Sequence, residues 1–110
     1  MLKASAGPYT KAQWKADWPG CEYENGVSEG HVSLVKDGDV SWLRVEYPKG
    51  SFGGPSGGAG WRYPLGVKAN RHSAELRYTV LFEDGFDFVK GGKLPGLCGG
   101  PKTITGGDKV

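Results

Sequence analysis

Two cysteines, two histidines and one methionine in 110 residues leave this chain poor in soft ligands and in the commonest general base. Cys21 and Cys98 lie in no metal-ligand spacing, and two are too few for a multiply bridged scaffold. One disulfide or two thiols both remain open. His31 and His72 have no other candidate catalytic group near them in the chain, and no nucleophile elbow or Ser-His-Asp order appears. Charge of one sign is scarce as well. Fourteen Lys and Arg against twelve Asp and Glu give a net charge of +2 without any basic run, so the electrostatic footprint of a nucleic-acid binder is missing. No run is long and apolar enough to span a membrane, and Met1 to Pro8 lacks the apolar centre of a signal peptide.

Glycine, proline and aromatic rings are plentiful: 20 Gly, 7 Pro, 4 Trp, 5 Tyr and 4 Phe. The glycines show no collagen-like period, and a disordered chain would be poorer in rings. Short strands joined by many turns fit this mixture, in a single domain over residues 1–110. Trp14 and Trp18 stand about one helical turn apart behind Thr10, a capping residue, with Pro19-Gly20 as the stop. A short helix and an irregular arm laying its tryptophans on a sheet are both compatible with that stretch. His31 to Lys36 reads as a strand, Asp37-Gly38-Asp39 as a hairpin turn, and Val40 to Tyr47 as the returning strand. Leu43, Val45 and Tyr47 share one face of it, Trp42, Arg44 and Glu46 the other. Pro48-Lys49-Gly50-Ser51 breaks it, and Ser51 to Gly60 is a glycine-rich crossing. The longest alternation is Ala74 to Glu83, with Leu76, Tyr78, Val80 and Phe82 opposite Glu75, Arg77, Thr79, Leu81 and Glu83. It predicts a strand with one face on the core, turned by Asp84-Gly85. The fold class is all-β, a sandwich or jelly roll.

Candidate chemistry gathers after that strand, in Phe86-Asp87-Phe88-Val89-Lys90-Gly91-Gly92-Lys93-Leu94-Pro95-Gly96-Leu97-Cys98-Gly99-Gly100. Lysines among glycines place charge on a backbone that a partner approaches closely. A phosphate loop is excluded, because that motif ending at Gly92-Lys93 requires glycine where Asp87 stands and Ser or Thr where Leu94 stands. Asp37, Asp39, Asp84 and Asp87 sit in or beside turns, where short acidic side chains serve the backbone, so a calcium site is weakly signalled and no metal or other cofactor is called for. Arg71, Arg77, Lys90 and Lys93 all fall near the last strand and its loop. Cations beside Tyr78 or Trp42 suit an anionic sugar polymer, the charges meeting carboxylates and the aromatic planes meeting sugar rings.

The run Ala74 to Phe82, followed by Phe86-Asp87-Phe88-Val89-Lys90-Gly91-Gly92-Lys93-Leu94-Pro95-Gly96-Leu97, resembles the signature of polysaccharide lyase family 14, the alginate and polyglucuronate lyases. Leu43 to Ser51 is similar to an earlier strand and turn of that family, so the resemblance spans roughly residues 40 to 107. It implies a β-jelly roll with an acidic polysaccharide on its concave face, an extracellular setting, and cleavage by β-elimination without a cofactor. In that reaction a base takes the C5 proton of a uronate, a cation holds the carboxylate, and a donor protonates the departing O4. The family's essential lysine aligns with Lys93, in the role of carboxylate neutraliser, a compact ammonium being suited to it. As a base it would need its pKa lowered, with Lys90 and Arg77 nearby. Lys90, Arg77 and Tyr78 are the expected substrate contacts. The family's Ser-x-Arg and Tyr-x-Tyr pairs belong to strands later than this loop and have no counterpart before Val110. The expectation is therefore an N-terminal portion of the domain, lacking its C-terminal strands and inactive alone. The alternative is a non-catalytic β-sandwich module that binds acidic polysaccharide, and a third class is a structural β domain without a ligand.

Overall fold

The computed structural model describes residues 5–53, 56–66, 73–88 and 91–99. The chain divides into two compact units, Met1–Lys68 and Ala69–Val110. It is mostly strands with one short helix: β1 (Ser5–Pro8), α1 (Lys11–Asp17), β2 (Glu24–Asn25), β3 (Val32–Asp37), β4 (Val40–Val45) and β5 (Gly60–Trp61). All of these belong to the first unit. The strands form a three-stranded antiparallel sheet ordered β1-β3-β4 and a two-stranded antiparallel ladder β2-β5.

Helix α1 forms where the spacing of Trp14 and Trp18 places it. Thr10 accepts from the Gln13 N–H at 3.1 Å while the Gln13 side chain accepts from the Thr10 N–H at 2.8 Å, a reciprocal cap that satisfies two otherwise orphaned donors. The helix ends at Asp17, and Gly20 carries the chain away with a φ of 90°. Its inner residue, Trp14, packs with Tyr9, Val27 and Val32 in a core flanked by Trp18, Cys21, Leu34 and Trp61. The hydroxyl of Tyr9 donates to Asp17 Oδ2 at 2.7 Å; burial first, and then that acceptor, push the phenol up to about 12.

The hairpin β3–β4 closes through Gly38-Asp39 between the paired residues Asp37 and Val40. Gly38 takes a φ of 62° and no other residue type has positive φ among those described, so the turn is of type II′, with glycine at its first central position. The register puts Leu34 against Leu43 and Val32 against Val45 on one face, and Val35 against Trp42 on the other. For β4 these are the faces read from the alternation, although the strand ends at Val45. Beyond it the Glu46 N–H still donates to His31 O at 2.8 Å and the Glu46 carbonyl accepts from Gly58 N at 2.9 Å. The glycine-rich stretch is thus a packed crossing. A Cβ on Gly57 would lie 2.6 Å from Ser51 Cβ, and one on Gly58 would lie 2.9 Å from the Tyr47 ring.

Glu24 is the polar centre of the first unit. Its carboxylate is buried and accepts from Lys11 Nζ at 3.0 Å, from the Val27 N–H at 2.9 Å, from the Ser28 N–H at 3.2 Å and from the Ser28 hydroxyl. It therefore ties α1 to the turn that follows β2. Burial alone would raise this carboxyl, but the Ser28, Lys11 and Val27 donors outweigh it and hold it below its ordinary value of 4.5. A carboxyl depressed in the folded state stabilises the fold above its unfolded pKa, and that contribution is lost as pH falls through the folded value. Acid unfolding of the first unit is expected to begin below about pH 4.5, and Glu24→Gln is expected to cost about 1–3 kcal/mol at neutral pH while flattening that acid limb. An unchanged acid transition in Glu24→Gln, read by circular dichroism, would place the titrating group elsewhere.

The second unit departs from expectation. Ala74–Glu83 enters no ladder among the described residues, and both of its sides are open to solvent. Alternation specifies which side chains share a face, whereas a strand also needs a neighbouring backbone to accept its hydrogen bonds. Within it Arg77 and Glu75, two residues apart, form an exposed ion pair. Asp84-Gly85 makes the expected turn, with Phe86 N donating to Glu83 O at 3.0 Å and Gly85 at a φ of 83°. Around it Phe82, Phe86 and Phe88 form a ring cluster with centroids 4.7–5.1 Å apart.

Candidate functional site

Lys93 lies in Gly91–Gly99, a stretch exposed throughout and without regular secondary structure. The lysine makes no hydrogen bond or ion pair among the described residues. A constrained glycine turn is not what surrounds it. Gly91, Gly92, Gly96 and Gly99 all have φ outside the left-handed region, and a Cβ on any of them would meet nothing within 4 Å. What these glycines leave is an uncovered main chain on either side of one ammonium group, open to an extended ligand.

Arg77 is exposed and engaged by Glu75 through its Nε. Ion pairs this exposed are worth little, so a carboxylate of higher local concentration can replace Glu75. Tyr78, the next residue, is about half exposed. Among the described residues no hydrogen bond, ion pair or ring contact joins Lys93 to Arg77 or to Tyr78. Lys90, together with Arg71 and His72, lies outside the described residues. His31 has a structural role. Its N–H donates to Gly26 O and its carbonyl accepts from Glu46 N, both at 2.8 Å, and Nδ1 is buried without a partner among the described residues. No group of three or more His, Cys, Asp or Glu able to hold a metal occurs among them either. Cys21 and Cys98 are both thiols, that of Cys21 raised in pKa by burial and donating to Arg62 O at 3.0 Å.

The family model for polysaccharide lyase 14 matches residues 35–110. The chain belongs to polysaccharide lyase family 14. The match begins inside β3, takes in β4, the glycine-rich crossing and β5, and runs through the Lys93 loop. No curated protein and no solved structure matches the chain. The Lys93 loop lies within the matched region. Residues 5–34, with α1 and most of the tryptophan core, precede the matched region. The signal missing from the sequence joins this part to the matched region. Arg62 lies over the Tyr23 ring with its guanidinium carbon 5.5 Å from the centroid, a pairing across a long stretch of chain that no local motif announces.

Proposed function

We propose that this polysaccharide lyase acts on a polyuronate, alginate or glucuronan, outside the cell, by β-elimination. The observation that carries the reading is an exposed, uncommitted Lys93 on an open glycine-rich backbone, within the region the family model covers. Lys93 holds the uronate carboxylate as negative charge builds at C5, a preorganised cation acting where charge develops. Lys90, Arg77 and Tyr78 contact neighbouring sugar units. Carboxylate neutralisation is one of three roles; elimination also requires a base for the C5 proton and an acid for the O4 leaving group. Among the described residues no contact couples Lys93 to a tyrosine or other acid–base group. That observation favours, as a second reading, a module that binds acidic polysaccharide without cleaving it, and we propose that residues 1–110 by themselves do so.

The two readings separate on one measurement. Elimination creates a C4–C5 double bond conjugated with the carboxylate, so ultraviolet absorbance rising with time on alginate or glucuronan marks a lyase. Saturable binding without that rise marks a binder, and absence of binding removes both. Binding is also expected to be salt-sensitive. At about 1 M salt the Debye length is about 3 Å, and affinity for a polyuronate should fall well below that at 0.1 M. Equal affinity for a neutral glucan would refute the charge-based reading.

A further inference from the structure

We infer that Tyr23 and Arg62 form a second binding point for an acidic sugar, carried by the unit Met1–Lys68; the inference rests on the polyuronate reading above. The β2–β5 ladder pairs Glu24 with Trp61, and the residues just outside it, Tyr23 and Arg62, meet as a ring and a guanidinium 5.5 Å apart. Glu24 and Trp61 turn toward the core, where Trp61 packs on Trp14 and Trp18. Tyr23 and Arg62 are exposed, Tyr23 at 44%. The pair is thus an exposed ring with a guanidinium stacked over one of its faces.

Its backbone is anchored. Arg62 O accepts from Cys21 Sγ, a Cβ on Gly20 would sit 3.4 Å from Pro64 Cγ, and the ring of Tyr63 packs edge-on against Trp18 at 5.3 Å. Arg62 takes part in neither the Lys11–Glu24 nor the Arg77–Glu75 ion pair, and no acidic side chain among the described residues is paired with it. A guanidinium supplies forked donors that match a carboxylate, and ring contact preorganises it so that less freedom is lost on binding. A sugar acid has the complementary parts, a carboxylate for Arg62 and an apolar C–H face for the half-open ring of Tyr23. Neutral sugars would satisfy only the ring.

The test is a titration of the 110-residue protein and its Lys93→Ala variant with a short alginate oligosaccharide, followed by NMR. The Tyr23 ring and Arg62 Nε–H signals are expected to shift saturably in both proteins. Arg62→Gln is expected to weaken the binding read at Tyr23 by about tenfold or more, the equivalent of one charge-assisted hydrogen bond. Arg62→Gln leaves the main-chain carbonyl that holds Cys21 in place, so the fold is retained, and an unchanged backbone spectrum verifies it. Shifts confined to the Lys93 loop would overturn this inference and leave the polyuronate reading standing. Shifts nowhere would overturn both. Equal shifts at Tyr23 with a neutral oligosaccharide would overturn the acidic specificity.

Discussion

In any form of this domain that cleaves a polyuronate, Lys93→Ala is expected to lower turnover by about a hundredfold or more, the scale on which removal of one preorganised charge-stabilising group acts. Fold stability should be almost unchanged. Lys93 is exposed, a Cβ on its neighbouring glycines would meet nothing within 4 Å, and it makes no hydrogen bond or ion pair among the described residues, so alanine there opens no cavity and orphans no partner. Lys93→Arg keeps the charge but replaces a compact ammonium with a planar fork, and should fall between wild type and alanine. Lys90→Ala should be milder than Lys93→Ala. The readout is the rate of unsaturated-product absorbance, with a circular dichroism melt as control. Turnover by Lys93→Ala within a few-fold of wild type would remove Lys93 from the chemistry.

The largest effect on stability is expected from Trp14→Ala. Trp14 is 2% exposed, packs with Tyr9, Val27 and Val32, meets Trp61 edge-on at 6.3 Å and lies under Lys11 Nζ at 5.0 Å from its ring centre. Truncating a buried tryptophan to alanine costs about 3–5 kcal/mol through lost transfer energy and the cavity left behind. A small unit has roughly 5 kcal/mol of stability to lose, so Trp14→Ala should leave Met1–Lys68 largely unfolded at room temperature. Trp14→Phe keeps much of the volume and should lower the melting temperature while preserving a cooperative transition. A Trp14→Ala protein melting near wild type would mean that the core is held from elsewhere.

What was legible in the sequence was local. The Thr10 cap, the Asp37-Gly38-Asp39 turn and the turn at Asp84-Gly85 each depend on a few adjacent residues, and each forms where the residue types place it. The faces of β4 were legible for the same reason, since its period of two decides them. Ala74–Glu83 was misread because its alternation is as regular as that of a paired strand, yet pairing is a property of a neighbour that the pattern does not contain. Glu24 escaped notice because, two residues after Glu22, it resembles any surface acid until Lys11, Val27 and Ser28 converge on it. The family was readable from the Lys-Gly-Gly-Lys-Leu-Pro-Gly-Leu run. The open geometry around Lys93 was not, since glycine serves equally well in a strained turn and in an uncovered chain.

The distribution of rings between the two units has a spectroscopic consequence. All four tryptophans, Trp14, Trp18, Trp42 and Trp61, fall within Met1–Lys68, while Ala69–Val110 holds Tyr78 as its sole tyrosine, beside phenylalanines. Indole emission is therefore a private reporter of the first unit. Trp18 and Trp61, with ring centres 5.4 Å apart, sit close enough for excitation to pass between them, so even that signal is a shared one. A fluorescence-monitored melt follows the tryptophan core of that unit. A chromophore engineered at Tyr78, as in Tyr78→Trp, would give the second unit its own voice, at the cost of one of the proposed polymer contacts.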